Sequence, residues 1–190
     1  RYKEELGLGE SYPVIMAGST HPGEEKALFD AFKKVRDKYS DARLVIAPRK
    51  TNRADEIAKL AASYGYETGY RSKMLEHPDM RKAYPVVLID TIGELGRIYA
   101  VGDVVYVGGS LSKTGGHNVL EPAAHAKPII VGPNMQNFKD SYSLLSKVGA
   151  CKMINNTTEL ANEMLDIISN DDRRAKMGAA SLQVIKENRG

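Results

Sequence analysis

Short apolar runs alternate along this chain with segments of helical periodicity. The first run, 13–18, ends in glycine and predicts a buried strand. The next segment, 24–38, places Leu28, Phe32 and Val35 on one stripe, as an amphipathic helix requires. Further runs predict strands at 44–48, 64–69, 86–89, 104–107, 128–131 and 150–154, and further periodic segments predict helices at 53–64, 94–100, 118–126, 138–147, 157–168 and 171–187.

Most of the predicted strands are apolar on both faces, which is typical of a parallel sheet covered by helices on each side. Regular alternation of strand and helix predicts an α/β fold, a Rossmann-like doubly wound parallel sheet of about six strands. The polar stretch 71–84 has no clear period and is predicted to be a loop or insertion. Because no interior linker is visible, residues 1–190 are predicted to form a single domain.

The amino-acid composition of the chain excludes several classes of protein. Hydrophobic residues make up 42% and charged residues 27% of the chain, as in ordinary globular domains. The net charge of +3 is mild and the charges are interleaved, so no nucleic-acid partner is expected. One cysteine excludes a disulfide framework. The sequence contains no run of 18 apolar residues, so no membrane-spanning helix is predicted. The chain starts at Arg1 and not at Met, which suggests a piece of a longer protein.

The carboxyl ends of parallel strands meet at one edge of a sheet, and ligands of doubly wound folds bind there. The segments predicted to leave those ends are 18–24, 48–53, 90–95, 108–121 and 132–138. Candidate chemistry is therefore sought in these five loops.

Hydroxyl side chains and a histidine follow the first strand. Ser19, Thr20 and His21, together with free amides at the start of the next helix, can form a cradle for an anion. The alternative is a simple helix start, with Glu24 and Glu25 placed in the first turn to oppose the helix dipole.

A glycine-rich segment, 108–118, follows the strand at 104–107 and ends in Gly115-Gly116-His117-Asn118. Such a loop lets the backbone approach a ligand closely. It is not a P-loop, because serine stands before Lys113 where that motif has glycine. The interpretations left open are a flexible loop and a ligand-binding loop, and its place after a buried strand favours binding.

Two carboxylates near helix starts allow both a structural and a binding interpretation. Glu121 can oppose a helix dipole or accept both hydroxyls of a ribose, with Asn118 on about the same face. Thr91 and Glu94 fit a capping box, while Gly93 between them permits a turn against a flat base.

Arg49, at the end of the second strand, can bind a phosphate or carboxylate together with Arg53. Each arginine alone is equally typical of a solvated surface. No group of His, Asp or Glu has metal-ligand spacing, so no metal site and no cofactor are expected.

Together these segments resemble the Kdo transferases, a family that moves 3-deoxy-D-manno-octulosonic acid from CMP-Kdo to a lipid A precursor. The resemblance rests on 17–25, 47–49, 90–95, 107–122 and 127–138, and Gly-Gly-His-Asn-x-Leu-Glu-Pro is its most specific part. It implies a GT-B architecture of two Rossmann-like domains, of which this chain resembles the C-terminal half that binds the donor nucleotide.

The resemblance also implies roles. By resemblance, Glu121 would bind the ribose hydroxyls, and Asn118 with the amides of residues 115–117 would face the donor phosphate. Arg49 and the turn 92–94 would bind the cytidine end. The full donor-binding set is Ser19, Thr20, His21, Arg49, Ile92, Gly93, Glu94, Gly115, Gly116, His117, Asn118 and Glu121. After Arg49 the family often has His-Pro-Glu-Arg, whereas this chain has Lys50-Thr51-Asn52-Arg53, which puts the base contacts in doubt.

For the parent enzyme, the resemblance implies a place at the cytoplasmic face of the bacterial inner membrane in lipopolysaccharide biosynthesis. The membrane anchor, the site for the lipid A precursor and the general base belong to the N-terminal half. No catalytic residue is therefore expected within this chain, which is predicted to be soluble and inactive alone. The alternatives are another GT-B glycosyltransferase or sugar-nucleotide epimerase that uses a uridine nucleotide, and a non-catalytic nucleotide-binding domain.

Overall fold

All strands of the computed structural model, which describes residues 1–189, run parallel in one sheet. They are β1 (Val14–Thr20), β2 (Arg43–Pro48), β3 (Thr68–Tyr70), β4 (Val86–Leu88), β5 (Val104–Val107), β6 (Ile129–Val131) and β7 (Cys151–Met153). Their order in the sheet is β3-β4-β2-β1-β5-β6-β7. The predicted α/β class is confirmed, with seven strands in the described part of the chain.

The helices are α1 (Tyr2–Glu5), α2 (Glu24–Lys38), α3 (Ala54–Ser63), α4 (Arg71–Glu76), α5 (Leu95–Ile98), α6 (Leu120–Ala123), α7 (Lys139–Lys147), α8 (Thr157–Ser169) and α9 (Asp171–Glu187). The longer ones agree with the predicted periodic segments within a few residues. Asn156 and Asn170 are the N-cap residues of α8 and α9, since each side-chain oxygen accepts the backbone N–H of the third residue after it, at 2.9 Å.

The prediction of a loop across 71–84 is wrong. This stretch contains α4 and a 3₁₀ turn at Pro78–Met80. Its inward face is made by Met74 and by the charged Arg71, which is only 1% exposed. Because the buried Arg71 is polar, it breaks the apolar period by which a helix is recognised in the sequence, and α4 was therefore not predicted.

Two apolar layers cover the sheet. On one face, Leu28 and Phe32 of α2 pack with α3 and α8 against inward residues such as Ile15. On the other face, Met16 packs with Ala123 of α6 and with residues of α7 and α9. No helix within residues 1–189 is both long enough and apolar enough to cross a membrane.

The order of the strands reverses at β1. Ile15 of β1 pairs with Leu44 of β2 on one side and with Val104 of β5 on the other. The helices that follow β1 and β5 lie on opposite faces of the sheet. A crevice therefore opens at the carboxyl edge between these strands, where doubly wound folds bind ligands.

Candidate functional site

The loop after β1 is held in an uncommon backbone conformation. Ser19 has φ 56°, a left-handed conformation that residues other than glycine rarely adopt. Thr20 is fully buried, and its Oγ1 has no hydrogen-bond partner within the described residues. His21 is half-buried and starts the turn into α2. Of the three residues predicted to form an anion cradle here, Thr20 is the one whose side chain is fully buried.

A buried carboxylate ties this loop to the glycine-rich loop after β5. Glu24, 2% exposed, accepts the backbone N–H of His21 at 2.9 Å and of Gly109 at 2.8 Å. It also accepts the N–H groups of Ser110 and Leu111, at 3.2 and 3.0 Å. One side chain thus fixes the relative position of the two loops that flank the crevice.

Tyr106, within β5, completes this network. Its hydroxyl donates to Glu24 Oε2 at 2.5 Å, and burial together with the neighbouring carboxylate raises the pKa of Tyr106. The phenol therefore stays protonated and keeps donating at neutral pH. The dipole interpretation of Glu24 was incomplete, because four of its five hydrogen-bond donors are 82 to 87 residues away in the chain.

The segment after β6 braces the glycine-rich loop from the other side. The Asn134 side-chain amide donates to the carbonyls of Ser110 and Ser112, each at 3.1 Å. The Asn137 amide donates to the Thr114 carbonyl at 3.1 Å, and its backbone N–H bonds to the Gly115 carbonyl at 2.9 Å. The sequence pattern placed 132–138 among the loops at this edge, but no residue of this segment was predicted to belong to the site.

His21 and His117 meet across the crevice, 96 residues apart in the chain. Their Nε2 atoms are 2.7 Å apart, and the ring planes are 7° from parallel. Burial lowers the pKa of His117, and the nearby His21 and Arg49 lower it further, while Glu24 opposes this. The two histidines predicted to line the donor site are therefore brought into direct contact.

A second part of the crevice lies over β2 and β4. It is a cavity of about 530 Å³ lined by Ser19, Ala47, Pro48, Arg49, Lys50, Thr51, Asn52, Ile89, Thr91, Ile92, Gly93 and Leu95. The lining contains two cationic side chains and no carboxylate. Ile92 is 87% exposed, an apolar side chain at the rim. The pocket suits a ligand with a flat face and a negative charge.

Glu94 does not face this pocket as a free carboxylate. Arg71 donates to both its oxygens, at 2.9 and 3.2 Å, and Thr91 Oγ1 donates to Oε2 at 2.5 Å. Its pairing with Arg71 lowers the pKa of Glu94. The predicted capping box is wrong, because neither Thr91 nor Glu94 caps a backbone N–H of α5.

Arg71 also reaches the amino-terminal segment. Its Nη1 lies 2.8 Å from Glu5 Oε1, outside good hydrogen-bond geometry, and its guanidinium lies over the Tyr2 ring at 5.3 Å. A fully buried arginine therefore joins α1 to the turn that carries Ile92. Arg71 was not among the residues predicted from the sequence to support the site.

Arg53 does not accompany Arg49 in the crevice. It forms a two-pronged ion pair with Glu25, at 2.9 and 3.0 Å, and a further bond to Glu56 at 2.7 Å. These carboxylates raise the pKa of Arg53. The prediction that both arginines bind one anion fails for Arg53, while Arg49 remains exposed at the pocket.

Glu121 stands exposed at the start of α6, with its carboxylate packed near Gly96 of α5. The same carboxylate raises the pKa of Tyr99, which is mainly raised by burial. Asn118 Oδ1 accepts the Leu120 N–H at 2.8 Å. The Asn118 oxygen thus orders the start of α6, where the Glu121 carboxylate is exposed.

No family model matches the chain. It is 33% identical over 179 residues to the 3-deoxy-D-manno-octulosonic acid transferase of Haemophilus influenzae, covering 94% of this chain and 41% of that protein. The corresponding transferase of Aquifex aeolicus is 34% identical over 155 residues, covering 82% and 42%. The chain therefore spans about two fifths of the length of the curated relatives it matches.

Solved structures give the same picture of the fold. The C-terminal CMP-Kdo binding domain of WaaA from Acinetobacter baumannii has a TM-score of 0.84 and 27% identity, with 93% of this chain and 91% of that chain covered. Anabaena HepE in complex with UDP and glucose has a TM-score of 0.68 at 13% identity, with 98% and 46% covered. The second likeness concerns the fold alone.

Proposed function

We propose, from the premise that this chain corresponds to the C-terminal domain of the Kdo transferases, that it binds the donor CMP-Kdo at the carboxyl edge of its sheet. The observation that carries this proposal is the likeness, over nearly the whole of both chains, to the CMP-Kdo binding domain of Acinetobacter baumannii. The crevice supports it with a cationic pocket beside an ordered glycine-rich loop.

The charges of the ligand and the crevice match. CMP-Kdo carries one negative charge on its phosphodiester and one on the sugar carboxylate. The pocket offers Arg49 and Lys50 and no acidic lining residue. We place the phosphate at the loops after β1 and β5, where His21 meets His117. The Gly116 N–H donates to the Gly109 carbonyl at 2.8 Å, so of the amides of residues 115–117 we propose those of Gly115 and His117 for the phosphate. Electrostatic complementarity of this kind favours an anionic donor over a neutral sugar.

We place the nucleoside over the rest of the crevice. Glu121 accepts the ribose hydroxyls, and the base rests against Ile92 and Gly93. Because Glu94 is held by Arg71, we assign it to the support of the turn and give the base contacts to the backbone of residues 92–94. This changes the role that the resemblance implied for Glu94.

Transfer of Kdo to a lipid A precursor is proposed for the complete enzyme, at the cytoplasmic face of the bacterial inner membrane. The chain covers about two fifths of the transferases that it matches, and we assign the acceptor site and the general base to the remainder. Residues 1–190 then act as the donor-binding domain of a two-domain enzyme and do not transfer Kdo alone. Kdo transfer by the isolated chain would contradict this assignment.

Calorimetric titration of the chain with CMP, UMP and AMP tests the proposal. We expect CMP to bind best, because the exocyclic amino group of cytosine donates where uracil accepts. Glu121→Ala removes the charged acceptor of the ribose hydroxyls; because one such hydrogen bond is worth about 1.5–3 kcal/mol, the CMP dissociation constant should rise at least about tenfold. Glu10→Ala, on the exposed loop before β1 at the opposite edge of the sheet, is the matched control.

Each outcome has a distinct meaning. CMP selectivity that Glu121→Ala weakens and Glu10→Ala preserves supports a cytidine donor site with the ribose at Glu121. Tighter binding of UMP indicates a uridine-nucleotide enzyme on the same fold and contradicts the proposal. Failure of all three nucleotides to bind the folded chain also contradicts it.

A further inference from the structure

The rings of His21 and His117 are joined end to end. Stacked rings are separated by about 3.5 Å, the contact distance of carbon atoms. The Nε2 atoms here are 2.7 Å apart, the ring planes are 7° from parallel, and the centroids are 5.0 Å apart. The rings therefore lie nearly in one plane and share a hydrogen bond from nitrogen to nitrogen.

Such a bond needs a single proton between the two Nε2 atoms. One ring donates its N–H, and the other must present a lone pair. A proton on both Nε2 atoms would place two donors head to head at hydrogen-bond distance, so a neutral accepting ring carries its own proton on Nδ1. As long as the rings bind each other, the pair resists a second proton.

The groups around the pair set its charge balance. Glu24, from the first turn of α2, is the carboxylate that acts on His117, and its oxygens are already engaged by the amides of both loops. Arg49, from the end of β2, adds a positive charge, and burial works in the same direction. Without a ligand, the environment of His117 thus favours the neutral ring.

We infer that the donor phosphate enters by separating this pair, and that the accepting ring then takes up one proton at its Nε2 and becomes an imidazolium, so that each ring turns an Nε2–H to a phosphate oxygen. The ligand class is a phosphodiester monoanion. An anion against both rings replaces the single N–H···N bond by two charge-assisted bonds and offsets the one positive charge that the pair gains. This inference rests on the proposed function, because it assumes that the nucleotide phosphate lies at these loops.

The inference gives a quantitative expectation. Binding that takes up one proton weakens tenfold for each unit of pH increase, between the pKa values of the free and the bound pair. Because the free pKa of His117 is lowered, this range begins below the ordinary histidine value of about 6.5. We expect an uptake of about 0.5–1 proton near pH 7.

The ligand used to count protons must not change its own protonation state near pH 7. CMP has a second phosphate pKa near 6, which would confuse the proton count, whereas its methyl ester is a diester like the donor. Titration calorimetry of cytidine 5′-phosphate methyl ester, in buffers of different ionisation enthalpy at one pH, gives the number of protons bound. Cytidine, which lacks the phosphate, should show none.

Variants separate the pair from the rest of the site. His117→Gln and His21→Gln keep a side-chain amide but cannot titrate, so proton uptake should fall to near zero while weakened binding persists. His77→Gln is the matched control, since His77 is exposed on the stretch after α4. In the unaltered chain, ¹⁵N NMR of the four histidines should show one ring of the pair changing to the doubly protonated form on binding.

The outcomes distinguish this inference from the proposed function. Uptake that disappears in His117→Gln supports the inference. Tight binding of the methyl ester without proton uptake, and with no ring of the pair becoming doubly protonated, overturns it and leaves the donor-binding proposal intact. If neither CMP nor its methyl ester binds, the proposed function fails and this inference fails with it.

Discussion

The two sides of the crevice are built differently. On the phosphate side, Glu24 accepts five hydrogen bonds and locks the loops after β1 and β5 together. On the base side, Arg49, Lys50 and Gly93 are exposed, and Ile92 extends into solvent. The sole buried brace that we find there, within residues 1–189, is Arg71 behind the turn.

This difference separates two tasks. A phosphate is small and charged, so its site benefits from donors that are ordered in advance. A nucleotide base is flat and needs contacts on its faces, and the exposed residues at the rim can supply these without a buried network behind them. We therefore expect changes on the phosphate side to disturb folding and binding together, and changes on the base side to act mainly on binding and discrimination.

The largest effect is expected from Glu24→Ala. It leaves the buried N–H groups of Gly109 and Ser110 and the Tyr106 hydroxyl without an acceptor, at about 1–3 kcal/mol each, so the free energy of unfolding should fall by about 3–5 kcal/mol. Urea denaturation measures this loss. Glu10→Ala, on an exposed loop, should change stability by less than about 0.5 kcal/mol.

Glu24→Gln sharpens the same comparison. It keeps the size of the side chain but turns an amide toward backbone donors, so CMP should bind more weakly while cytidine binds as before. If CMP and cytidine lose affinity equally, Glu24 does not act through the phosphate loops.

A smaller effect is expected from Arg71→Met on the base side. Loss of the guanidinium leaves Glu5 and Glu94, both partly exposed, without their cation, at about 2 kcal/mol after allowing for solvent screening. The pKa of each carboxyl is lowered in the fold, so its contribution to stability is full above the unfolded value of 4.5 and is lost as pH falls.

The gap in stability between Arg71→Met and the unaltered chain should therefore be widest near neutral pH and narrow below pH 4.5. Denaturation at a series of pH values measures it. Lys73→Met, on the exposed face of the same helix, is the control. A gap that stays constant with pH would mean that Arg71 stabilises by packing on Tyr2 and not by charge.

Local sequence pattern was sufficient for the frame of the molecule. Apolar runs predicted the strands, and 24–38 was predicted with the bounds that α2 has. The rule for parallel strands then placed the correct loops at one edge. These predictions succeed because period and burial are properties of neighbouring residues.

The site needed information that no local pattern contains. Glu24, in the first turn of a helix, is indistinguishable in sequence from a residue that opposes the helix dipole, yet four of its five donors come from residues 106–111. Arg53 was assigned to a ligand because its partner Glu25 lies on another helix. Charged groups that pair across elements can be identified only when the fold brings them together.

The smallest effect is expected from Gly93→Ala, at the exposed rim. Gly93 has φ 88° and open space where a Cβ would stand, so the cost is backbone strain of about 1 kcal/mol. Gly65 has φ 84° and the same open space, but it follows α3 and does not line the pocket. Gly65→Ala should therefore lose the same stability in urea denaturation.

Binding should separate these two glycines. If the base lies against the turn, an added methyl group at Gly93 meets the ligand, and CMP affinity should fall about three- to tenfold, about 0.7–1.4 kcal/mol. Gly65→Ala should bind CMP as the unaltered chain does. Equal CMP affinity in both variants would move the base away from the turn at residues 92–94 and leave Glu121 and the histidine pair as the part of the site still to be tested.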